Sequence, residues 1–295
     1  MKLDHIGRIR GNIQINTKIK ATNILDGSYK SIFKGKSLNF EELREYNIGD
    51  SVKDIDWRAS ARSTNLLVRE YVAEKKHNVM FVLDGKYSMN ANCSDKDLKR
   101  DVAIDVAGTL AYLAYKNGDY VGSIYMYHDN PVFFPAKQSL FNIENFLTYY
   151  DENMKSATIK DKYVNSINDS LKYVTDYFSK KSVFFIITDL AGLEEIDDHL
   201  IKTLALKNDV MIVNIGDVSL FEKKSYDLDK KKYFSQMFLN NTKLLRLEQE
   251  EKSHIYEELV NRFTKYKITT ITVNSSEEII SKIIELLEKH RNIGM

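Results

Sequence analysis

Two acidic residues come directly after apolar runs that predict buried strands. Residues 79–83 are apolar and end at Asp84, and Ser88 follows four positions later. Further along the chain, a second apolar run ends at Thr188 and Asp189. The carboxyl ends of parallel strands meet at one edge of a sheet, which is where open α/β sheets bind ligands. We therefore expect these four side chains to share one small polar site.

Other arrangements that carry out chemistry are missing from the sequence. No Gly-rich loop precedes a Lys and a Ser or Thr, and no dinucleotide fingerprint occurs, so nucleotide binding is not expected. Ser88 lies in a strand-to-loop turn without a nucleophile elbow or a nearby His, which argues against a nucleophilic triad. The single Cys93 and six scattered His residues show no zinc-ligand spacing.

The bulk composition excludes further classes of protein. The 43 Lys and Arg residues against 42 Asp and Glu residues give a net charge of +1, which attracts no nucleic acid globally. The apolar runs fall far short of the ~18 to 20 residues that span a bilayer, and a charged segment follows Met1. We therefore expect a cytoplasmic protein with no membrane span and no nucleic acid partner.

Strands and helices alternate along most of the chain. The apolar runs predict strands at 66–71, 79–84, 120–127, 132–134, 183–189, 210–215 and 268–273. Helical spacing predicts helices over 98–117, 140–150, 167–178, 196–206, 252–263 and 276–290. This alternation predicts an α/β protein with a doubly wound, mostly parallel, Rossmann-like sheet.

Two regions do not follow the alternation. Segment 3–20 interleaves isoleucines with polar residues and predicts short strands or an extended arm. We therefore divide the chain into a β-rich or irregular N-terminal extension at 1–76 and an α/β domain at 77–295. The domain contains a polar insertion at about 217–245, too long for an ordinary connection. This insertion has two possible interpretations, a small packed segment or a site that binds a partner.

The segment ahead of the first long strand concentrates charged residues without regular periodicity. It holds the only tryptophan together with arginines and aspartates, namely Arg44, Asp50, Asp54, Asp56, Trp57 and Arg62. Bidentate pairs of Arg44 or Arg62 with the aspartates would hold such a segment in place. A partner-binding surface is the alternative.

The residues of this segment also fall in order at the spacing of a known family. The motifs are Gly35-Lys-Ser-x-x-Phe40, Arg44-x-Tyr46, Gly49-Asp50, Asp54-Ile-Asp56-Trp57 and Ser60-Ala-Arg62, then Glu74 and a strand ending in Asp-x-x-x-Ser-Met. By these motifs the chain resembles the bacterial domain of unknown function 58 family. The resemblance implies a von Willebrand factor A-like fold and a MoxR-type AAA+ ATPase as a partner.

The implied fold usually carries a metal-ion-dependent adhesion site. The matching positions are Asp84, Ser88 and Asp189, with the threonine position near Asn165 or Ser166. Mg²⁺ prefers such hydroxyl and carboxylate oxygens. However, Lys86 stands where a serine is expected, and its ammonium cannot bind a cation but could neutralise both aspartates in place of the ion. A magnesium site and a salt-bridged pseudo-site are both open.

We therefore predict a non-catalytic protein-interaction adaptor that works with a MoxR-type AAA+ ATPase on protein clients, in assembling or remodelling complexes. The loops that carry Asp84 and Asp189 would present the recognition face. One alternative is a ligand-binding domain with a functional adhesion-type magnesium site. The other is a metal-dependent hydrolase or nuclease that uses both aspartates as ligands, although no motif places a third acid there.

Overall fold

The computed structural model describes residues 4–16, 19–33, 42–70, 76–157, 167–218, 226–227, 232–233 and 242–293. The strands are β1 (Glu42–Glu45), β2 (Leu67–Glu70), β3 (Asn78–Leu83), β4 (Tyr120–Tyr127), β5 (Asn130–Lys137), β6 (Val183–Asp189), β7 (Asp209–Ile215), β8 (Tyr226–Asp227), β9 (Lys232–Tyr233) and β10 (Thr269–Val273). The helices are α1 (Asp4–Asn16), α2 (Ile19–Phe33), α3 (Trp57–Ser60), α4 (Lys99–Lys116), α5 (Leu140–Ser156), α6 (Ile167–Tyr177), α7 (Leu190–Glu195), α8 (Asp198–Lys207), α9 (Thr242–Thr264) and α10 (Ile279–Ile293).

Six strands form one sheet in the order β10-β7-β6-β3-β4-β5. All neighbours are parallel except β5, which pairs antiparallel with β4 at the edge of the sheet. The prolines of β5 suit this edge position, because a proline cannot donate a hydrogen bond to a further strand. The chain is therefore a mixed α/β protein with a mostly parallel, Rossmann-like sheet, as the sequence predicts.

Helices cover both faces of this sheet. Residues of β3 alternate between the two apolar clusters, with Val79, Phe81 and Leu83 in one cluster and Met80 and Val82 in the other. This alternation follows the pleat of the strand. Helices α1, α2, α4, α5 and α10 contribute to the first cluster, whereas α6, α7, α8 and α9 contribute to the second. Because β3 is buried on both faces, its apolar run is continuous.

The N-terminal segment corrects one prediction, because residues 4–16 form helix α1 rather than short strands or an extended arm. Helix α2 follows within the extension predicted to be β-rich or irregular. Ile6 and Ile9 lie three positions apart on the buried side of α1. The carboxylate of Glu144 on α5 accepts hydrogen bonds from the N–H groups of His5 and Ile6, both at 2.9 Å. These bonds satisfy donors that the first turn of a helix leaves unpaired. The domain boundary near residue 76 stays a prediction.

Two further regions differ from the predicted pattern. Strand β2 pairs antiparallel with β1 in a small separate sheet. The helix predicted to begin at residue 252 begins at Thr242, which shortens the predicted insertion, and strands β8 and β9 form an antiparallel pair within it. None of the helices in the described ranges is long and apolar enough to cross a bilayer.

Candidate functional site

The two strands that lead into Asp84 and Asp189 are neighbours in the sheet, as predicted. Leu83 of β3 is in register with Ile187 of β6, and the N–H of Asp84 donates to the carbonyl of Ile187 at 3.0 Å. This pairing sets Asp84 beside Thr188 and Asp189. The site therefore lies at the carboxyl edge of the parallel strands, where open α/β sheets bind ligands.

Asp84 is completely buried and is bonded mainly to neutral groups. Its Oδ2 accepts a short hydrogen bond from the Thr188 hydroxyl, and its Oδ1 accepts the N–H of Lys86 at 2.9 Å. The Tyr150 hydroxyl donates to the backbone carbonyl of Asp84 at 2.7 Å. Burial, together with the negative charge of Asp189, raises the pKa of Asp84 to about 6. This carboxyl therefore titrates closer to neutral pH than an ordinary aspartate.

Asp189 is paired instead with a lysine that sequence reasoning did not select. Its Oδ2 lies 2.7 Å from the ammonium of Lys99, and the two side chains are only 1% and 3% exposed. The same ammonium also contacts the carboxylate of Asp217, which is 28% exposed. Burial alone would raise the pKa of Asp189 and lower that of Lys99, but their pairing reverses both shifts. Both groups therefore stay charged inside the protein.

Lys99 rather than Lys86 neutralises Asp189, whereas the charge of Lys86 acts on Asp84 and opposes the larger effect of burial on its pKa. The ammonium of Lys86 contacts Glu195, and Lys86 reaches Asp84 with its backbone N–H. Lys99 is the first residue of α4. It lies three residues before the buried Val102, on the side of the helix that faces the core. A lysine is seldom fully buried without a partner, so its place on an apolar stripe is the signal that could have revealed it.

Gly192 closes the site from α7. A side chain at this position would overlap the Thr188 hydroxyl and the Asp84 carboxylate, so the close approach requires glycine. Asp189 is the N-cap of α7, and its Oδ1 accepts the N–H of Gly192 at 3.0 Å. Gly192 therefore leaves room for the Asp84 carboxylate and donates a hydrogen bond to Asp189, although no sequence motif identified it.

The other predicted site residues are placed as follows. Ser88 lies in the turn after β3, with its hydroxyl buried near Asp189. This hydroxyl helps to lower the pKa of Asp189, although its geometry falls short of a regular hydrogen bond. Asn165 and Ser166 lie outside the described residues.

This donor set does not fit Mg²⁺. Both oxygens of Asp84 already accept hydrogen bonds, and those of Asp189 are bonded to Gly192 and Lys99. Magnesium needs free oxygen ligands in an octahedral array, and the Lys99 ammonium would repel it. Within the described ranges, no group of three or more His, Cys, Asp or Glu residues could hold a metal ion. The charges of the site are balanced by groups of the protein itself.

A cleft of about 450 Å³ reaches this network from solvent. Its lining includes Asp217 at the end of β7, Asn274 after β10 and Glu248 on α9. Cys93 also lines it, but burial raises the pKa of this thiol to about 12, so the sulfur stays neutral and unreactive. Asp217 therefore links the buried ammonium to the cleft.

Three of the predicted motif residues have structural roles. Arg44 and Asp50 form two N–H···O bonds of 2.7 Å, as the bidentate interpretation expects. The Arg44 guanidinium and the Asn47 N–H lower the pKa of Asp50 to about 2. Asp56 caps α3 by accepting the two N–H groups of its first turn at 3.0 Å. These bonds fix the turns between β1 and β2.

The remaining motif residues do not take part in these bonds. Trp57 is 61% exposed, Arg62 is exposed, and Asp54 is half-buried. Among described residues, Arg62 forms no ion pair with Asp50, Asp54 or Asp56, so the pairing expected for Arg44 or Arg62 occurs with Arg44. Some of the motif residues therefore stabilise the segment, and others are exposed on its surface.

Comparison with known families gives one match that covers most of the chain. The model described as "Protein of unknown function DUF58" matches residues 42–226. Uncharacterised proteins of Mycobacterium bovis and Mycobacterium tuberculosis are 27% identical to this chain over 112 residues. That segment is 38% of this chain and 35% of each relative, so the match spans about a third of the relatives' length.

Two solved structures are similar at a low level. A conserved hypothetical protein, BatB of Bacteroides thetaiotaomicron, is 16% identical with a TM-score of 0.49, covering 73% of this chain and 99% of BatB. An aerotolerance-related membrane protein of Bacteroides fragilis is 14% identical with a TM-score of 0.43, covering 72% of this chain and 99% of that protein. Both TM-scores lie below 0.5, so the structural similarity is weak.

The raised pKa of Asp84 predicts a pH-dependent stability. The folded protein keeps this proton up to about pH 6, whereas the unfolded chain loses it near pH 4. The folded state binds more protons in that window, so Asp84 makes the free energy of unfolding fall as the pH rises from about 4 to 6. We expect Asp84→Asn to gain about 2 kcal/mol relative to wild type across this window, measured by urea unfolding.

The control for this experiment is Asp176→Asn, which removes one carboxylate from an exposed position of α6. It controls for the general loss of a negative charge. If the curves of wild type and Asp84→Asn ran parallel between pH 4 and 7, the buried environment assigned to Asp84 would be wrong.

The buried pair predicts a large cost for losing its cation. Lys99→Met leaves Asp189 charged without a partner, so we expect a loss of about 3 to 5 kcal/mol in the free energy of unfolding. Adding Asp189→Asn should restore part of this loss, because it removes the uncompensated buried charge. Chemical denaturation of the single and double variants measures both effects.

Lys86→Met is the matched control, because it removes the same ammonium from the pair with the half-exposed Glu195. We expect the substitution to lower the free energy of unfolding by about 1 kcal/mol. Equal losses in Lys99→Met and Lys86→Met would contradict the role given to Lys99.

Proposed function

This chain belongs to the family of proteins of unknown function DUF58, and we propose that it is a non-catalytic protein-interaction adaptor. In this proposal it works in the cytoplasm with a MoxR-type AAA+ ATPase, in the assembly or remodelling of protein complexes. The turn that carries Asp84 and Ser88, and the start of α7 at Asp189, form its recognition face toward protein clients.

The observation that carries the proposal is the buried pair of Lys99 and Asp189. A catalytic acid, base or metal ligand needs a carboxylate that can exchange a proton or bind an ion at the reacting centre. Here the oxygens of Asp189 are held by Lys99 and Gly192. Asp84 has a pKa of about 6, but it is completely buried, and its oxygens are held by Thr188 and a backbone N–H. Such a fixed, internally balanced cluster supports a role in recognition rather than in chemistry.

The sheet supports the finer inference of a von Willebrand factor A-like fold. Its two central strands, β3 and β6, end in the two aspartates, and its antiparallel edge strand β5 directly follows β4. This arrangement agrees with what the resemblance of the motif residues implies. The same resemblance supports the choice of ATPase. The sequence itself has no Gly-rich phosphate-binding loop, so in this proposal the partner hydrolyses ATP.

One alternative keeps a specific observation in its favour. The carboxylates of Asp84 and Asp189 and the hydroxyl of Ser88 come together, as an adhesion-type magnesium site or a metal-dependent hydrolase or nuclease would need. Calorimetric titration with magnesium chloride separates the two cases. Heat of binding in the wild type that Asp84→Asn abolishes would favour the metal site over the internally balanced cluster.

The proposed partnership is tested with the purified MoxR-type ATPase of the native host. We expect a complex in size-exclusion chromatography when the ATPase is saturated with a non-hydrolysable ATP analogue, and we expect the chain alone to hydrolyse no ATP. Failure of the two proteins to associate with ATP analogue, with ADP and without nucleotide would refute the partnership.

A further inference from the structure

Residues 42–70, called here the β1–β2 lobe, carry more exposed than buried large apolar side chains. Among its described side chains, the only buried apolar residues are Ile55 and Val68. Its exposed large apolar residues are Leu43, Ile48, Val52, Trp57 and Leu66, with exposures from 41% to 102%. Exposed apolar surface on this scale marks an interaction site in many soluble proteins.

The lobe is nevertheless well braced. Strands β1 and β2 pair over four residues each, and Ile55 bridges to Val68. The Ser60 hydroxyl donates to the carbonyl of Asp56 at 2.7 Å and accepts the N–H of Leu67 at 2.9 Å. The exposed side chains are thus presented on a fixed backbone, which lowers the entropy cost of binding.

Cations accompany the apolar side chains. Lys53, Arg58 and Arg62 are exposed, and none of them has an ion-pair partner among the described residues, whereas Arg44 of the same lobe is bound by Asp50. Arg58 lies on α3, and Arg62 lies in the turn that follows it, where the N–H of Arg62 donates to the carbonyl of Ala59 at 3.0 Å. Both cations therefore belong to the same short segment as Trp57. Tryptophan and arginine are the side chains most enriched at the centres of protein interfaces.

A polyanion such as single-stranded nucleic acid fits this surface less well than a protein does. The lobe mixes its cations with acids such as Glu45 and Asp54, and a mixed surface suits charges at particular points on a protein better than a continuous line of phosphates. The aliphatic side chains of Ile48 and Val52 would gain little from bases, which stack on aromatic rings. Carboxylates interspersed with apolar side chains, on the surface of a folded protein, match both features.

We infer that Trp57, Arg58 and Arg62 form a docking surface for an acidic, partly apolar surface of a protein partner. This inference rests on the proposed function, under which that partner is the MoxR-type ATPase. Electrostatic complementarity sets orientation and association rate, and burial of Trp57 with its apolar neighbours provides the stabilising contact.

Trp57 is the only tryptophan of the chain, so it reports on this surface directly. Incorporation of 5-fluorotryptophan gives one ¹⁹F resonance, which we expect to shift or broaden when the purified, unlabelled ATPase is added. Arg58→Glu/Arg62→Glu should raise the dissociation constant by about tenfold or more, because cations that meet carboxylates become anions. Trp57→Ala, followed by calorimetry, should weaken binding by about as much.

Matched controls come from α8. Lys202→Glu/Lys207→Glu makes the same charge change at two exposed positions, and Leu206→Ala truncates an apolar side chain that is 75% exposed. We expect wild-type affinity from both. Urea unfolding of all variants verifies that they are folded, and Asp54→Asn should leave affinity unchanged or improve it, because it removes a like charge facing the acidic partner.

The outcomes separate the two claims. Association of wild type with an unchanged ¹⁹F resonance and equal affinity of all variants would overturn the docking surface and leave the adaptor proposal standing. Failure of wild type to bind the ATPase would overturn both. A ¹⁹F shift with an oligothymidylate strand, competing with the ATPase, would overturn the protein docking surface in favour of nucleic acid.

Discussion

The buried ion pair between Lys99 and Asp189 determines the character of this site. Lys99 begins α4, and Asp189 ends β6 and caps α7, so the pair ties two helices to the end of a central strand. Removing two charges from water costs several kcal/mol for each ion, so the pair depends on further bonds. Gly192 and Asp217 supply them. The carboxylates at the carboxyl edge of the sheet are therefore held by partners within the protein.

The same pair explains why two neighbouring aspartates behave differently. The ammonium of Lys99 lowers the pKa of Asp189. Burial and the charge of Asp189 raise the pKa of Asp84, and its bonds to a hydroxyl and an N–H offset only part of this rise. Within the adaptor proposal, the fixed cluster shapes the recognition face, and the exposed Trp57 lies on a separate lobe available to the partner.

The sequence was sufficient to predict the α/β fold class and the proximity of Asp84 and Asp189. Continuous apolar runs that alternate with helices indicate buried parallel strands, and the acids lie where two of these runs end. It could not reveal contacts between distant segments. Glu144 caps α1 from more than a hundred residues away, so α1 was wrongly predicted as strands or an arm. Similarly, Lys86 is close to Asp84 in sequence, yet the folded chain turns it toward Glu195 and brings in Lys99.

The most direct test of this account is an NMR titration of the Lys99 side chain, through its ¹³Cε and ¹⁵Nζ resonances, assigned with Lys99→Arg. The account predicts an ammonium that exchanges slowly with water and stays protonated above the pH near 10.4 at which exposed lysines titrate. A neutral amine at pH 7, or exchange as rapid as that of exposed lysines, would contradict the central role of the buried pair.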